Sequence, residues 1–358
     1  MLQQPCVFIA RREISRQRSF LSDIRQLQTE MSEIKSLILS TPDSSLMSIT
    51  LENVLALEAL EARLRAILPE QYRNSFEDVV PVSMGSAGLK YDADGRVAWD
   101  QIWGSFCDLA MAGGPPHRGT ILQPATVEAA SANPEAQRRV IEEIQRGISM
   151  VTRLPMLPVT DGVWIRVQCR SAGMAGWLVR AIVMENIQAR HDADVLFLPA
   201  GPDFRLGKEI KNVITATAKT CHYWINHMSA EQHESIEAMM LKSSTDSELL
   251  EPASAAQVGA DPDGYRQIVD ELTREITART GRVCFANRYP GWFGIDCPNV
   301  RIAIWLMRAM AVENILARRE DTVLFLPVHP RFASDGRKTR LIETFEHLHQ
   351  LCALKKFE

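Results

Sequence analysis

Apolar positions near the N-terminus recur at alternating spacings of four and three. Phe20, Ile24, Leu27, Met31, Ile34 and Ile38 form one seam, and Val54, Leu57, Leu60, Leu64 and Ile67 form another. Thr41-Pro42-Asp43-Ser44-Ser45 separates them as a turn, and Pro69 closes the second. The pattern predicts an antiparallel helical hairpin, whose narrow seam serves either packing within the chain or a homodimer through the N-terminal helices. Between Leu89 and Ala98 an alternating stretch is broken by Asp92-Ala93-Asp94-Gly95, which predicts a β-hairpin. Ile102, Phe106, Leu109 and Ala110 then predict a helix over 99–112, stopped by Gly113-Gly114-Pro115-Pro116.

The remaining pattern repeats itself. Offset by 128 residues and without a gap, 121–204 matches 249–332 at 29 of 84 positions, where chance gives about five. Trp177-Leu178-Val179-Arg180-Ala181 matches Trp305-Leu306-Met307-Arg308-Ala309, Glu185-Asn186-Ile187 matches Glu313-Asn314-Ile315, and Val195 to Pro199 reappears as Val323 to Pro327. Each copy reads as a lead helix, an extended Leu-x-Pro-Ala segment, a helix, a strand pair, a helix capped by Ser171 or Asn299, a strand and a final helix.

The expected strand pairs are Thr152–Val159 with Val163–Cys169, and Arg282–Arg288 with Trp292–Cys297. A strand, a helix and a strand in succession predict a right-handed parallel crossover. The expected fold is therefore α/β, with α+β as the alternative: a tandem duplication of a ~128-residue unit, each copy with a small mixed sheet, the copies related by pseudo-two-fold symmetry. The expected divisions are a helical hairpin at 1–80, a connector at 81–100, copy A at 101–228 and copy B at 229–356.

Composition adds exclusions. The 358 residues carry a net charge of −4, without the basic excess that bulk nucleic-acid binding requires. Seven scattered cysteines with no Cys-x-x-Cys pair suit neither a disulfide framework nor a zinc ribbon. No run has the length of a secretory signal core or a membrane span. The expectation is a cytoplasmic protein with neither nucleic acid nor membrane as partner.

Candidate chemistry concentrates in copy A. Glu185 and Glu313 are expected mid-helix, on stripes with Trp177, Ala181 and Ala189 or their counterparts, where a carboxylate needs a partner; the readings are a structural pair or an acid-base group. Cys169 and Cys297 each end a strand just before a helix N-terminus, which favours thiolate; the bland alternative is packing. The copies diverge where copy A has His117 and Arg118 after its Gly-Gly-Pro-Pro loop, a pair suited to an anion, with a plain helix stop as the alternative. Lys219 and His222 share a glutamate-free stripe of the last helix, and are expected either to line the same anion-binding cleft or to be merely exposed.

No phosphate-binding loop, dinucleotide fingerprint, nucleophile elbow or His-Glu-x-x-His helix is present, and no metal set or cofactor is implied. The expected function is a small-molecule enzyme of biosynthetic or tailoring type, its anionic substrate in copy A or in the cleft between copies. His117, Cys169 and Glu185 are the candidate catalytic residues, and Arg118, Lys219 and His222 the candidate binding residues. The alternatives are a non-catalytic ligand- or metal-binding protein with its pocket on the dyad, and a helical-seam scaffold.

Overall fold

A computed structural model describes residues 51–74, 88–102, 108–160, 162–246, 248–286 and 289–355. The first expected seam, Phe20 to Ile38, lies outside them. The chain divides into two compact units, Met1–Leu55 and Ala56–Glu358, and both sheets belong to the second. The second seam forms helix α1 (Leu51–Ala66), with Leu60, Leu64 and Ile67 buried. The short hairpin forms as expected: Tyr91 bridges Val97, Gly95 is left-handed, and the Asp92 carboxylate accepts from the N–H groups of Asp94 and Arg96.

The continuous helix expected over 99–112 is not formed. Trp99–Gln101 and Ala110–Ala112 are single 3-10 turns, and Leu109 between them is extended (ψ 130°). Amphipathic spacing is overridden here because Leu109, Ala110, Met111 and Ala112 are all fully buried against neighbouring elements, and the Ala110 N–H is used outside any helix.

Two similar sheet modules follow. Module A comprises α2 (Val127–Ala132), α3 (Pro134–Thr152), β1 (Met156–Leu157), β2 (Trp164–Gln168), α4 (Ala172–Met184), β3 (Arg190–Asp192), β4 (Val195–Pro199) and α5 (Lys211–Asn226). Helix α6 (Ala230–Asp246) connects to module B: α7 (Ala255–Ala260), α8 (Pro262–Thr280), β5 (Cys284–Ala286), β6 (Trp292–Asp296), α9 (Val300–Val312), β7 (Arg318–Glu320), β8 (Val323–Pro327) and α10 (Arg337–Leu354). The strand orders are β1-β2-β4-β3 and β5-β6-β8-β7. Their registers agree: Trp164 faces Pro199 where Trp292 faces Pro327, and Arg190 faces Phe197 where Arg318 faces Phe325.

Both sheets are antiparallel, so the expected mixed sheet with an adjacent parallel crossover is corrected. The missing piece was a short strand. After α4 the chain makes β3, turns tightly at left-handed Ala193, and inserts β4 between β2 and β3; β7 and left-handed Asp321 do the same in module B. The expected hairpin strands are also shorter, since Thr152 still belongs to α3.

The repeated Glu-Asn-Ile now has a geometric meaning. Helix α4 ends at Met184, so Glu185 is its C-terminal cap rather than a mid-helix residue; Asn186 is left-handed at φ 61° and Asn314 at 62°. That reversal lets Ile187 bridge Leu122 and Ile315 bridge Leu250 in parallel, which is what the Leu-x-Pro-Ala segments are for. Ser171 and Asn299 cap their helices as expected, accepting from the N–H groups of Met174 and Ile302.

Helices α4 and α9 are almost wholly buried. The Trp177 indole donates to the Ile67 carbonyl and the Trp305 indole to the Glu61 carboxylate, each at 2.8 Å, so the end of α1 is tied to the central helix of both modules. Among the described residues no helix is long and apolar enough to cross a membrane.

Candidate functional site

Module A departs from module B at Glu185. A carboxylate at a helix C-terminus faces the negative end of the dipole, and this one is fully buried, so it is tolerable only with several donors. Four are present. Lys219 Nζ lies 2.9 Å from Oε1, the Ala110 N–H donates to Oε1 at 2.9 Å, the His117 N–H donates to Oε2 at 3.0 Å, and His117 Nδ1 lies 3.3 Å from Oε2. Lys219, from α5, is itself fully buried and donates to the Asp108 carbonyl at 3.4 Å.

The break in the expected helix is what supplies these donors. A residue inside a helix spends its N–H on the preceding turn, whereas Ala110 opens a 3-10 turn and keeps its N–H for Glu185. Gly113 reverses the chain at φ 109°. Gly114 then passes so close to Asp108 that a Cβ would sit 2.1 Å from its carbonyl oxygen. Pro115 and Pro116 deliver His117 onto the carboxylate. Module B helps fix the loop: the buried Arg319 guanidinium donates to the Gly114 carbonyl at 3.0 Å, and the Asn186 amide donates to the carbonyls of Arg118 (2.8 Å) and Arg319 (2.9 Å).

Burial by itself would raise the Glu185 carboxyl; the Lys219 ammonium, the His117 ring and the Ala110 N–H overcome it and hold it down at about 2. His117 is lowered from its ordinary value, by burial first and by Lys219 second, against the opposing pull of Glu185. The ring is therefore neutral at neutral pH. A carboxylate can only accept, so Nδ1 carries the proton and Nε2 is left with a lone pair, an orientation that suits an acid-base group. The His117 side chain remains 13% exposed.

Among the described residues module B has no such assembly. Glu313 pairs with Arg63 at 2.5 Å, its side chain a third exposed, and the positions matching Lys219 and His117 are taken by His347, which is exposed, and by Thr245. Two glutamates that match in sequence thus sit in different surroundings.

The other predicted residues separate. Arg118 turns away from Glu185: its Nε donates to the Thr120 carbonyl, and its guanidinium lies 3.9 Å from Glu209 on the wall of a cavity of about 470 Å3 that Gln123, Asp203 and Arg205 also line. His222 is not brought to His117; its ring nitrogens meet Asn226 (2.9 Å) and His227 (3.0 Å). Cys169 is sealed, and burial pushes its thiol up to about 12; Cys297 behaves alike. Desolvation thus outweighs the helix N-terminus, which favours the packing reading of Cys169 over the thiolate one. Among the described residues no three His, Cys, Asp or Glu side chains are placed to hold a metal.

Sequence reasoning missed the backbone donor at Ala110 and the contribution of Arg319. It also missed Glu251, which lies with Arg190, His329, Arg331 and Arg337 on a second cavity of about 470 Å3 between the modules. Glu251 replaces the matching Gln123 at the Leu-x-Pro-Ala segment, a difference visible in the alignment of the two copies. Comparison of the chain with protein-family models, curated proteins and solved structures finds no match.

Proposed function

We propose that the protein is an enzyme that transfers a proton on a small anionic molecule bound at module A. His117 is the acid-base group, Glu185 orients it, Lys219 keeps Glu185 ionised, and Arg118, the next residue in the chain, offers its guanidinium to the anion from the wall of the cavity it lines. The observation that carries this reading is the buried Glu185–His117–Lys219 assembly, built in module A while the matching positions of module B do without it. The constant offset of 128 residues between the two registers supports reading the modules as a tandem duplication about a pseudo-two-fold axis. One copy then carries the site and the other the scaffold.

The reading is tested with a panel of carboxylates and phosphate esters, scored by thermal shift and then by turnover. An Arg118→Ala variant should lose affinity for the hits, and His117→Gln should bind them but turn them over at least about a hundredfold more slowly. Unchanged binding in the first variant and unchanged turnover in the second would leave the assembly a structural clamp on the Gly-Gly-Pro-Pro loop. That second reading is favoured by the complete burial of Glu185 and Lys219.

A further inference from the structure

The cavity between the modules has chemistry of its own. The Leu-x-Pro-Ala segments of both modules line it, with Pro124 from one and Glu251 and Pro252 from the other, and its volume of about 470 Å3 is in the range of small-molecule sites. Two of its charged side chains are uncommitted among the described residues. The Glu251 Oε1 atom is buried and meets no hydrogen-bond donor there. The Arg331 guanidinium touches the His329 ring at 3.3 Å and, among the described residues, no carboxylate. The other charged groups on this wall are engaged, since Arg337 is bridged to Glu248 and to Asp335 and the Arg190 guanidinium lies over the Trp164 and Phe197 rings.

Glu251 and Arg331 do not pair with each other although they line the same cavity. Arg180 and Arg190 are near enough to pull on Glu251 yet leave its Oε1 without a donor, and Arg331 has no carboxylate beside it among the described residues. The matching positions in module A are Gln123, whose amide is spent on the Pro290 carbonyl at 3.2 Å, and Asp203, so module A does not repeat the combination.

We propose that the cleft between the modules binds a small zwitterion of the α-amino-acid class, its carboxylate on Arg331 and its ammonium on Glu251. Such a ligand gives the buried Glu251 Oε1 a donor and the exposed Arg331 guanidinium a carboxylate, both as charge-assisted hydrogen bonds, and the apolar wall of Pro124, Val127, Leu249 and Pro252 receives its side chain. The site is independent of His117. Burial raises the Glu251 carboxyl to about 7 against the pull of Arg190 and Arg180. A ligand ammonium displaces that proton, so binding strengthens as the pH rises from about 6 to about 8. The charged groups bearing on Glu251 are Arg180, Arg190, Glu248, His329, Arg331 and Arg337.

The test uses the full chain and the twenty standard L-amino acids as probes in a thermal-shift screen, with the best binder measured by calorimetry beside its deamino and its decarboxylated analogues. The expected result is at least one stabilising amino acid whose affinity falls about tenfold or more in both Glu251→Gln and Arg331→Ala and is unchanged in His117→Ala. The deamino analogue should be indifferent to Glu251→Gln, and the decarboxylated one to Arg331→Ala. No stabilising amino acid, or affinity unaltered in either variant, overturns the proposal; loss in Arg331→Ala alone makes the cleft a simple anion site. Arg331 is exposed, so Arg331→Ala with the two analogues decides the matter should Glu251→Gln fail to fold.

Discussion

The carboxylate of Glu185 and the ammonium of Lys219 meet at 2.9 Å with both side chains fully buried, whereas Glu313, the counterpart of Glu185, meets Arg63 at 2.5 Å at the surface. The same residue type at matching helix ends is thus in two electrostatic regimes. In the first, desolvation is severe and every donor counts. In the second, water supplies most of what Arg63 supplies.

Glu185→Gln leaves the Lys219 ammonium buried without its counter-ion and should cost about 3–5 kcal/mol in chemical denaturation. Glu313→Gln should cost under about 1 kcal/mol, because both partners of that pair are about a third exposed. Equal costs would mean that the two ends are not electrostatically different.

Acid should unfold the protein partly through this site. Glu185 is depressed to about 2, so its contribution is present above the ordinary carboxylate value and is lost as the pH falls from about 4.5 towards 2. His117 is lowered too, so the unfolded chain takes up that proton first and stability already begins to fall below about 6.5. His117→Gln should flatten the upper part of the acid limb of a stability-against-pH curve, and leave the lower part.

Glu251 has the opposite sign. Its folded value is raised to about 7, so ionising it opposes folding: the penalty is absent below about 4.5, grows as the pH rises, and is complete above about 7. Glu251→Gln should therefore stabilise the protein at about pH 8, by up to about 3 kcal/mol, and change little near about pH 4. Denaturation at the two pH values checks both halves, and a destabilised variant at the higher one would show that Glu251 is paired.

Gly114→Ala should destabilise the protein by at least about 2 kcal/mol, since the new methyl would lie 2.1 Å from a backbone oxygen that cannot move without disturbing the Lys219 contact. Gly119→Ala, five residues on, has open space around the added carbon and should be near neutral. Thermal denaturation of the two variants side by side separates a required close approach from general loop sensitivity.

Much of the fold was legible in the chain. Ser171 and Asn299 marked helix starts because a cap is a local hydrogen bond, and Gly95 marked a turn because its conformation is local too. The 128-residue offset predicted which elements would match, and the strand registers agree with it. Arg190–Asp192 is illegible as a strand because three residues carry too little alternation, and without it the order of the sheet comes out wrong.

The candidate site divides along the same line. His117, Glu185 and Lys219 could be singled out from sequence, as an asymmetry, as a carboxylate in an apolar stripe and as a lysine on a face without acids. Their convergence could not, because it depends on Leu109 to Ala112 abandoning a helix that their spacing predicts. Cys169 shows the reverse: its place before a helix N-terminus is plain in the sequence, and only burial decided that its thiol stays protonated. The sequence determined what depends on neighbours a few residues away: caps and turns. Tertiary structure decided strand order, which matched glutamate is buried, and which charges find partners, because desolvation and pairing energies are set by residues tens to hundreds of positions apart.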